Sequence, residues 1–434
     1  MEVAIMKKLL SLSLAAIMIG SLAACGGSTP APATEAPAAT EAAAETEAEA
    51  EAEAGEEKAE EEGETAGAEL SGDAIKIGFF APISAASAAA DGASAINSAK
   101  LAVKLVNENG GINGAPVELA DFDDGLDTTE AANIAEKLAY DDSVAAVVSG
   151  SYSGPTKVAA PIFQDAGKLM VSAYAVHPDV TGAGDLIFSQ SFPGAVQATG
   201  AAVFTAEQLK AKKVAIIYVD LDFGTTQVNA FKAKLEKDYP DVEVVYEQGV
   251  AISDSDLTSV VTAAAASGAD LIYSVNYYEQ AAEVLRQVGL QGLDIPVLGT
   301  EGADSWMLLD IAGEYANGLY ITTNMNRDDQ NEQTQAYIEN YRKEYGIEPD
   351  MVGASVYDAF QVLFEAMKNV GTDSEAMRDY IAGMKNFDTV TGTLLYYNAE
   401  GSAVKPIQVQ LVTDGEYHFA GVVDDEAIID PANY

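Results

Sequence analysis

Cysteine occurs once in 434 residues, histidine twice and tryptophan once. A single thiol excludes an internal disulfide, a Cys-x-x-Cys redox pair and a thiolate metal cluster, and two histidines leave little for a zinc site. Basic residues are scarce as well: 23 Lys and Arg stand against 68 Asp and Glu, a formal net charge of -45. A field of that sign repels phosphate backbones and anionic lipid head groups, so nucleic acid is not an expected partner. What remains is ordinary globular stock, 48% apolar and 21% charged. At roughly 100–200 residues per domain the chain is long enough for two or three domains.

Lys7 and Lys8 precede an apolar run over 9–24 that closes on Leu22-Ala23-Ala24 and is followed by Cys25. Sixteen residues fall short of the roughly 20 that cross a bilayer, and small residues end the run, so 1–24 reads as a signal peptide rather than a membrane span. Leu22-Ala23-Ala24-Cys25 resembles the bacterial lipobox, in which the cysteine is acylated and becomes the first residue of the mature chain. That assigns the one thiol to lipidation. Residues 26–69 are nearly all Ala, Glu, Thr, Pro and Gly, with 14 Glu against one Lys. Low hydrophobicity and dense like charge cannot form a core, so 25–72 reads as a disordered, lipid-anchored tether. Of the -45, the 26–69 stretch accounts for -13 and residues 1–25 for +1, which leaves -33 on 70–434.

From Ile75 onward short apolar runs alternate with helix-spaced stretches. The runs 75–80, 117–122, 144–149, 169–173, 214–219, 242–246, 271–275 and 296–299 read as strands. Between them 93–107, 128–140, 155–164, 194–209, 225–237, 257–267 and 279–287 read as helices, with Ile134 and Leu138 one turn apart on a buried stripe. Apolar strands separated by amphipathic helices are the mark of parallel sheets covered on both faces. About eight strands in two runs, broken near Phe192-Pro193-Gly194, imply two doubly wound lobes. Helices over 352–369 and 374–385 follow, then strands at 394–397, 407–412 and 418–423. Asp414-Gly415 gives the last pair a hairpin turn, an edge addition to one lobe.

Ile77-Gly78 with Ala81-Pro82-Ile83, Asn107-Glu108-Asn109-Gly110-Gly111-Ile112-Asn113-Gly114, Asp123-Asp124, Lys212-Lys213-Val214-Ala215-Ile216-Ile217, Phe223-Gly224 and Gly299-Thr300-Glu301-Gly302 occur in that order. Together they resemble the branched-chain amino acid binding proteins of bacterial ABC importers, the leucine/isoleucine/valine type, over about 73–423. The resemblance implies the type I periplasmic binding protein fold: two α/β lobes joined by three crossovers, with the ligand in the cleft between them. Lobe one would comprise 73–193 plus 324–397 and lobe two 194–323 plus 398–434. It also implies an extracytoplasmic receptor, without enzymatic activity or cofactor, that hands an amino acid to permease subunits and meets the membrane through its lipid anchor alone. Nothing in the sequence demands more than a monomer.

A free amino acid presents a carboxylate and an ammonium, so its site needs hydroxyl or backbone donors at one end and a carboxylate at the other. The loop 149–156, which holds Ser151 and Ser153, leads into a helix whose N-terminus favours an anion; the same serines would also serve as plain helix caps. By resemblance Ser153 grips the ligand carboxylate, and Tyr174 and Val176 fall on the next contact positions. Val176 departs from the family's usual threonine and removes a hydroxyl. Glu301 matches the glutamate that pairs with the ligand ammonium, a contact that in a desolvated cleft discriminates against amine-free ligands. Tyr277 and Tyr278 match a covering aromatic pair, Phe223 stands where tyrosine is frequent, and Tyr357 is a further candidate. Residues 84–90, all Ser and Ala, replace an aromatic pocket wall, which implies a larger pocket. Leu126 and Tyr152 stand where relatives carry a disulfide. Branched-chain, other hydrophobic and aromatic amino acids therefore stay open, as do an aromatic carboxylate or amide and a sensor of the same fold without transport.

Enzymatic signals fail one by one. The stretch 150–154 has Tyr152 where a hydrolase elbow needs its serine, and His177 and His418 are the only conventional bases. No Gly-rich loop ends in Gly-Lys-Ser/Thr and no Gly-x-Gly-x-x-Gly follows the first strand. Trp306, after Glu301, reads as a core or rim residue.

Overall fold

The computed structural model describes residues 70–433; Cys25, the signal segment and all but the last three residues of the tether lie outside the described residues. Strands β1 (Ile75–Ala81), β2 (Val117–Asp123), β3 (Val144–Ser149), β4 (Met170–Ser172) and β5 (Ile187–Ser189) form an all-parallel sheet in the order β2-β1-β3-β4-β5. Helices α1 (Ala89–Glu108), α2 (Thr128–Ala139) and α3 (Ser153–Asp165) make the crossovers. The sequence of β1 shows why both faces are covered. Successive side chains point to opposite faces; Ile77 and Phe79 enter the core that holds Ala95 and Ala99 of α1, while Phe80 enters the one that holds Ile134 and Leu138 of α2. A Cβ on Gly78 would stand 3.0 Å from the Leu138 methyls, so glycine there lets α2 lie against the strand.

The chain leaves this layer after Phe192. Helix α4 (Gly194–Val203) runs into a π-helical turn over Phe204–Gln208. Next come β6 (Lys213–Val219), α5 (Asp222–Asp238), β7 (Glu243–Val250), α6 (Thr258–Ala266), β8 (Leu271–Val275), α7 (Tyr278–Leu290), β9 (Val297–Gly299), α8 (Trp306–Ala312) and β10 (Tyr320–Thr323). Helices α9 (Glu332–Tyr345), α10 (Met351–Val370) and α11 (Ser374–Ala382) follow. Of these, α10 packs along α1 and sets Phe360 against Phe79. A small antiparallel sheet, β11 (Lys385–Thr389), β12 (Gly392–Tyr397) and β13 (Ala403–Val404), precedes β14 (Ile407–Thr413), β15 (Glu416–Val423) and α12 (Glu426–Ile429). The second sheet has the order β15-β14-β10-β9-β8-β6-β7, parallel from β7 to β10 and antiparallel at the β14–β15 edge. Asp414 and Gly415 both take positive φ, 54° and 80°, as the two-residue turn of this hairpin requires.

Alternation in the sequence predicts this α/β architecture, and where it is silent there is a physical reason. Strands β5 and β10 have three and four residues, too few to show a period. Helix α9 is missing from the expectations because its buried stripe, Thr334, Tyr337, Ile338 and Tyr341, is mostly hydroxyl-bearing. The helix expected over 374–385 ends at Ala382; Gly383 caps it, and Lys385 already pairs with Tyr396 as part of β11. Among the described residues no helix is long and apolar enough to cross a membrane.

Candidate functional site

Parallel sheets hold ligands outside the carboxyl ends of their strands, at the point where neighbouring crossovers leave in opposite directions. In the first sheet that point lies between β1 and β3, in the second between β6 and β8. The segments following these four strands contribute to one cavity: Asp91 after β1, Tyr152 and Ser153 after β3, Phe223 after β6 and Tyr277 after β8. Tyr174, then Glu301, Gly302 and Asp304, and finally Met351 and Val352 at the start of α10 complete the wall. Helices α1, α3, α5, α7 and α10 each begin at or within two residues of a lining residue. The first N–H groups of a helix lack intrahelical partners and carry its positive dipole end, which makes the rim receptive to anionic groups.

Aromatic rings join the two layers. Tyr152 from the first stacks on Tyr277 from the second with centroids 4.3 Å apart, and Phe223 stacks on Tyr277 at 4.8 Å. Tyr174 meets Tyr152 edge-on at 6.3 Å and donates its hydroxyl to Gly150 O at 2.7 Å.

The electrostatics are one-sided. Glu301, 2% exposed, accepts a long 3.5 Å hydrogen bond from Ser191 on Oε2, and its Oε1 has no partner among the described residues. Burial, reinforced by Asp304, pushes this carboxyl up to about 8. Asp91, 3% exposed, accepts one hydrogen bond, from the Tyr152 hydroxyl at 2.7 Å. Burial and the neighbouring Asp350 raise it to about 8. Asp350, which caps α10 through Gly353 N and accepts from Ser94 Oγ, is raised to about 7, chiefly by burial. Asp304 is the one of these acids with a full cationic partner, Arg327, which also lies over the Tyr417 ring. No Lys or Arg lines the cavity among the described residues.

The structure brings Ser153, Tyr174, Phe223, Tyr277 and Glu301 together on the cavity wall and leaves Ser151, Val176 and Tyr278 off it. Ser151 is buried behind the loop, where its carbonyl accepts from Thr156 Oγ1. Val176 touches the site only through its backbone, its N–H donating to Ser153 Oγ at 3.3 Å. Tyr278 points instead to the start of α1 and accepts from Ala90 N at 3.3 Å. Tyr357 packs on Tyr337, and Trp306 packs against the core of the second layer. Asp91 and Tyr152 also line the cavity, although neither falls on a contact position that the resemblance implies. Asp91 carries a signal, being the one acid between Ser84 and Asn107. Tyr152 enters the site from the loop after β3 and donates its hydroxyl to Asp91.

Two doubly wound layers with an aromatic, acid-lined cavity between their strand ends define a ligand-binding protein of the two-layer α/β class. A family model for periplasmic binding proteins matches residues 74–416, and the chain belongs to that family. The Leu/Ile/Val-binding protein of Escherichia coli is 28% identical over 301 residues, 69% of this chain and 80% of that one. The leucine-, isoleucine-, valine-, threonine- and alanine-binding protein of Pseudomonas aeruginosa is 27% identical over 331 residues, covering 76% and 87%. Among solved structures, the branched-chain amino acid transporter substrate binding protein of Streptococcus pneumoniae in complex with isoleucine matches with a TM-score of 0.75 at 27% identity, over 81% of this chain and 99% of that one.

Proposed function

We propose that the protein is an extracytoplasmic receptor, not an enzyme, that captures an amino acid between its two layers and delivers it to the permease of an ABC importer. The segments 73–193 plus 324–397 and 194–323 plus 398–434 act as the closing lobes, and acylated Cys25 holds the receptor at the membrane. The observation that carries this reading is Glu301: a buried carboxylate on the cavity wall whose Oε1 lacks a partner. A buried acceptor without a partner costs stability that an incoming ammonium recovers. Ser153, in the first turn of α3, supplies a hydroxyl and the helix its free N–H groups for the ligand carboxylate. The names of the relatives, which bind leucine, isoleucine and valine, support the same class.

The test is a thermal-shift screen of the protein, unfolded and refolded to strip carried ligand, against amino acids, amine-free carboxylic acids, amides and sugars. A ligand at 100 times its dissociation constant adds about 2.7 kcal/mol of stability. Amino acids are expected to give that shift, and Glu301→Gln to weaken their binding by about 2–5 kcal/mol. Stabilisation by amine-free acids or sugars alone would overturn the amino-acid reading.

A further inference from the structure

The cavity wall carries more carboxyl groups than one α-ammonium engages. Glu301 reaches it from the end of β9 in the second layer, and Asp91 from α1 in the first. Tyr277, between the layers, feels both carboxylates. An amino acid with an apolar side chain brings one ammonium, enough for Glu301. Asp91 then stays in a closed cavity with a single hydrogen bond, from Tyr152, and no cation. A buried acid with one hydrogen-bond partner stays protonated, and a cation held against it favours the ionised form and pairs with it. The remaining wall fits the same charge: four aromatic rings, Tyr152, Tyr174, Phe223 and Tyr277, line the space, and ring faces attract cations. Among the described residues no group of three or more acids, histidines or cysteines is arranged to hold a metal ion, which favours an organic cation. Glu301 Oε1, buried and without a geometric hydrogen-bond partner among the described residues, is an acceptor on the cavity wall suited to a ligand nitrogen.

We propose that the cavity selects an amino acid whose side chain ends in a cationic nitrogen, with the α-ammonium on Glu301 and the distal ammonium or guanidinium on Asp91. This rests on the amino-acid reading above and narrows it. Asp91 is the residue that separates a basic ligand from an apolar one of the same length.

The experiment is titration calorimetry of the refolded protein with lysine, ornithine and arginine against norleucine, leucine and Nε-acetyl-lysine. A site built around a polar partner rejects the analogue lacking it strongly, so the basic amino acids are expected to bind on the order of 10²-fold or more tightly than norleucine or Nε-acetyl-lysine. Asp91→Asn, which keeps the shape and can still accept from Tyr152, is expected to collapse that ratio. If norleucine binds wild type as tightly as lysine, this inference fails while the amino-acid reading stands. If no α-amino acid of either kind binds, both fail. A preference for lysine that persists in Asp91→Asn overturns the role of Asp91. Should that variant not fold, the wild-type comparison of lysine with Nε-acetyl-lysine decides.

Discussion

Asp91, Glu301 and Asp350 are ordinary carboxylic acids whose character is set by where they lie. Buried, they hold protons to about pH 8, 8 and 7, against 3.8 for aspartate and 4.5 for glutamate in water. The unfolded chain releases those protons near pH 4, so between about pH 4 and 8 the folded state binds more protons and the ligand-free protein loses stability as pH rises. The opposite contributions, from carboxylates such as Asp127 and Asp141 that hydrogen bonds hold below the usual range, are complete above about pH 4. Urea midpoints measured from pH 5 to 8.5 are therefore expected to fall steadily, and less steeply in Glu301→Gln; a flat or rising profile would contradict the burial. A bound ammonium reverses the bias by favouring the carboxylate. Ligand binding at pH 7 should release protons, read as a dependence of the calorimetric heat on the buffer's ionisation enthalpy. Asp91 shows how little of this is written locally: its isolation among Ser and Ala is visible in the sequence, but its partner Tyr152 is 61 positions away.

Elements meet here through close backbone approach and through buried ion pairs. A Cβ on Gly224 would lie 2.0 Å from Val219 O, so the start of α5 rests directly on the end of β6. Gly224→Ala must push α5 away and carry the cavity residue Phe223 with it. A stability loss of about 1–3 kcal/mol is expected by thermal unfolding, together with weaker ligand binding. Gly154, in the first turn of α3, has its nearest neighbour at 3.8 Å; Gly154→Ala should be neutral or stabilise by up to about 1 kcal/mol, because alanine restricts the unfolded chain. Between α10 and the small sheet, Asp358 accepts from Val390 N and Thr391 N and faces Lys405 at 3.9 Å, both side chains being fully buried. Lys405→Met strands that carboxylate and should cost about 3–5 kcal/mol. The double variant with Asp358→Asn should recover much of it, a non-additivity that a double-mutant cycle measures. The Phe223-Gly224 motif was legible as a motif; that its glycine answers to a carbonyl five residues earlier was not.

Across the whole molecule, the two layers touch through the Tyr152–Tyr277 stack, through Ala90 N to Tyr278 and through the ion pair of Lys157 on α3 with Asp222 on α5. The ion pair is partly exposed, so Asp222→Asn is expected to change ligand affinity by no more than about 1 kcal/mol. The aromatic stack is desolvated, and Tyr277→Ala should cost more. Scattering profiles with and without ligand test whether the layers close as lobes: a smaller radius of gyration on binding is expected, and identical profiles with a tightly bound ligand would count against closure.

The sequence by itself determined the two doubly wound layers, because apolar strands and amphipathic helices follow from local periodicity. It also placed the loops after β3, β6, β8 and β9, and with them Ser153, Phe223, Tyr277 and Glu301. Only the tertiary structure decided that Asp91 and Tyr152 join these residues and that Ser151, Val176 and Tyr278 stand aside. A strand's end fixes where a loop emerges, whereas which side chains share a cavity depends on crossings that join residues more than 200 positions apart. The same distance governs the charge: burial among residues from both layers, not the residue type, holds protons on Glu301 and Asp91 to about pH 8.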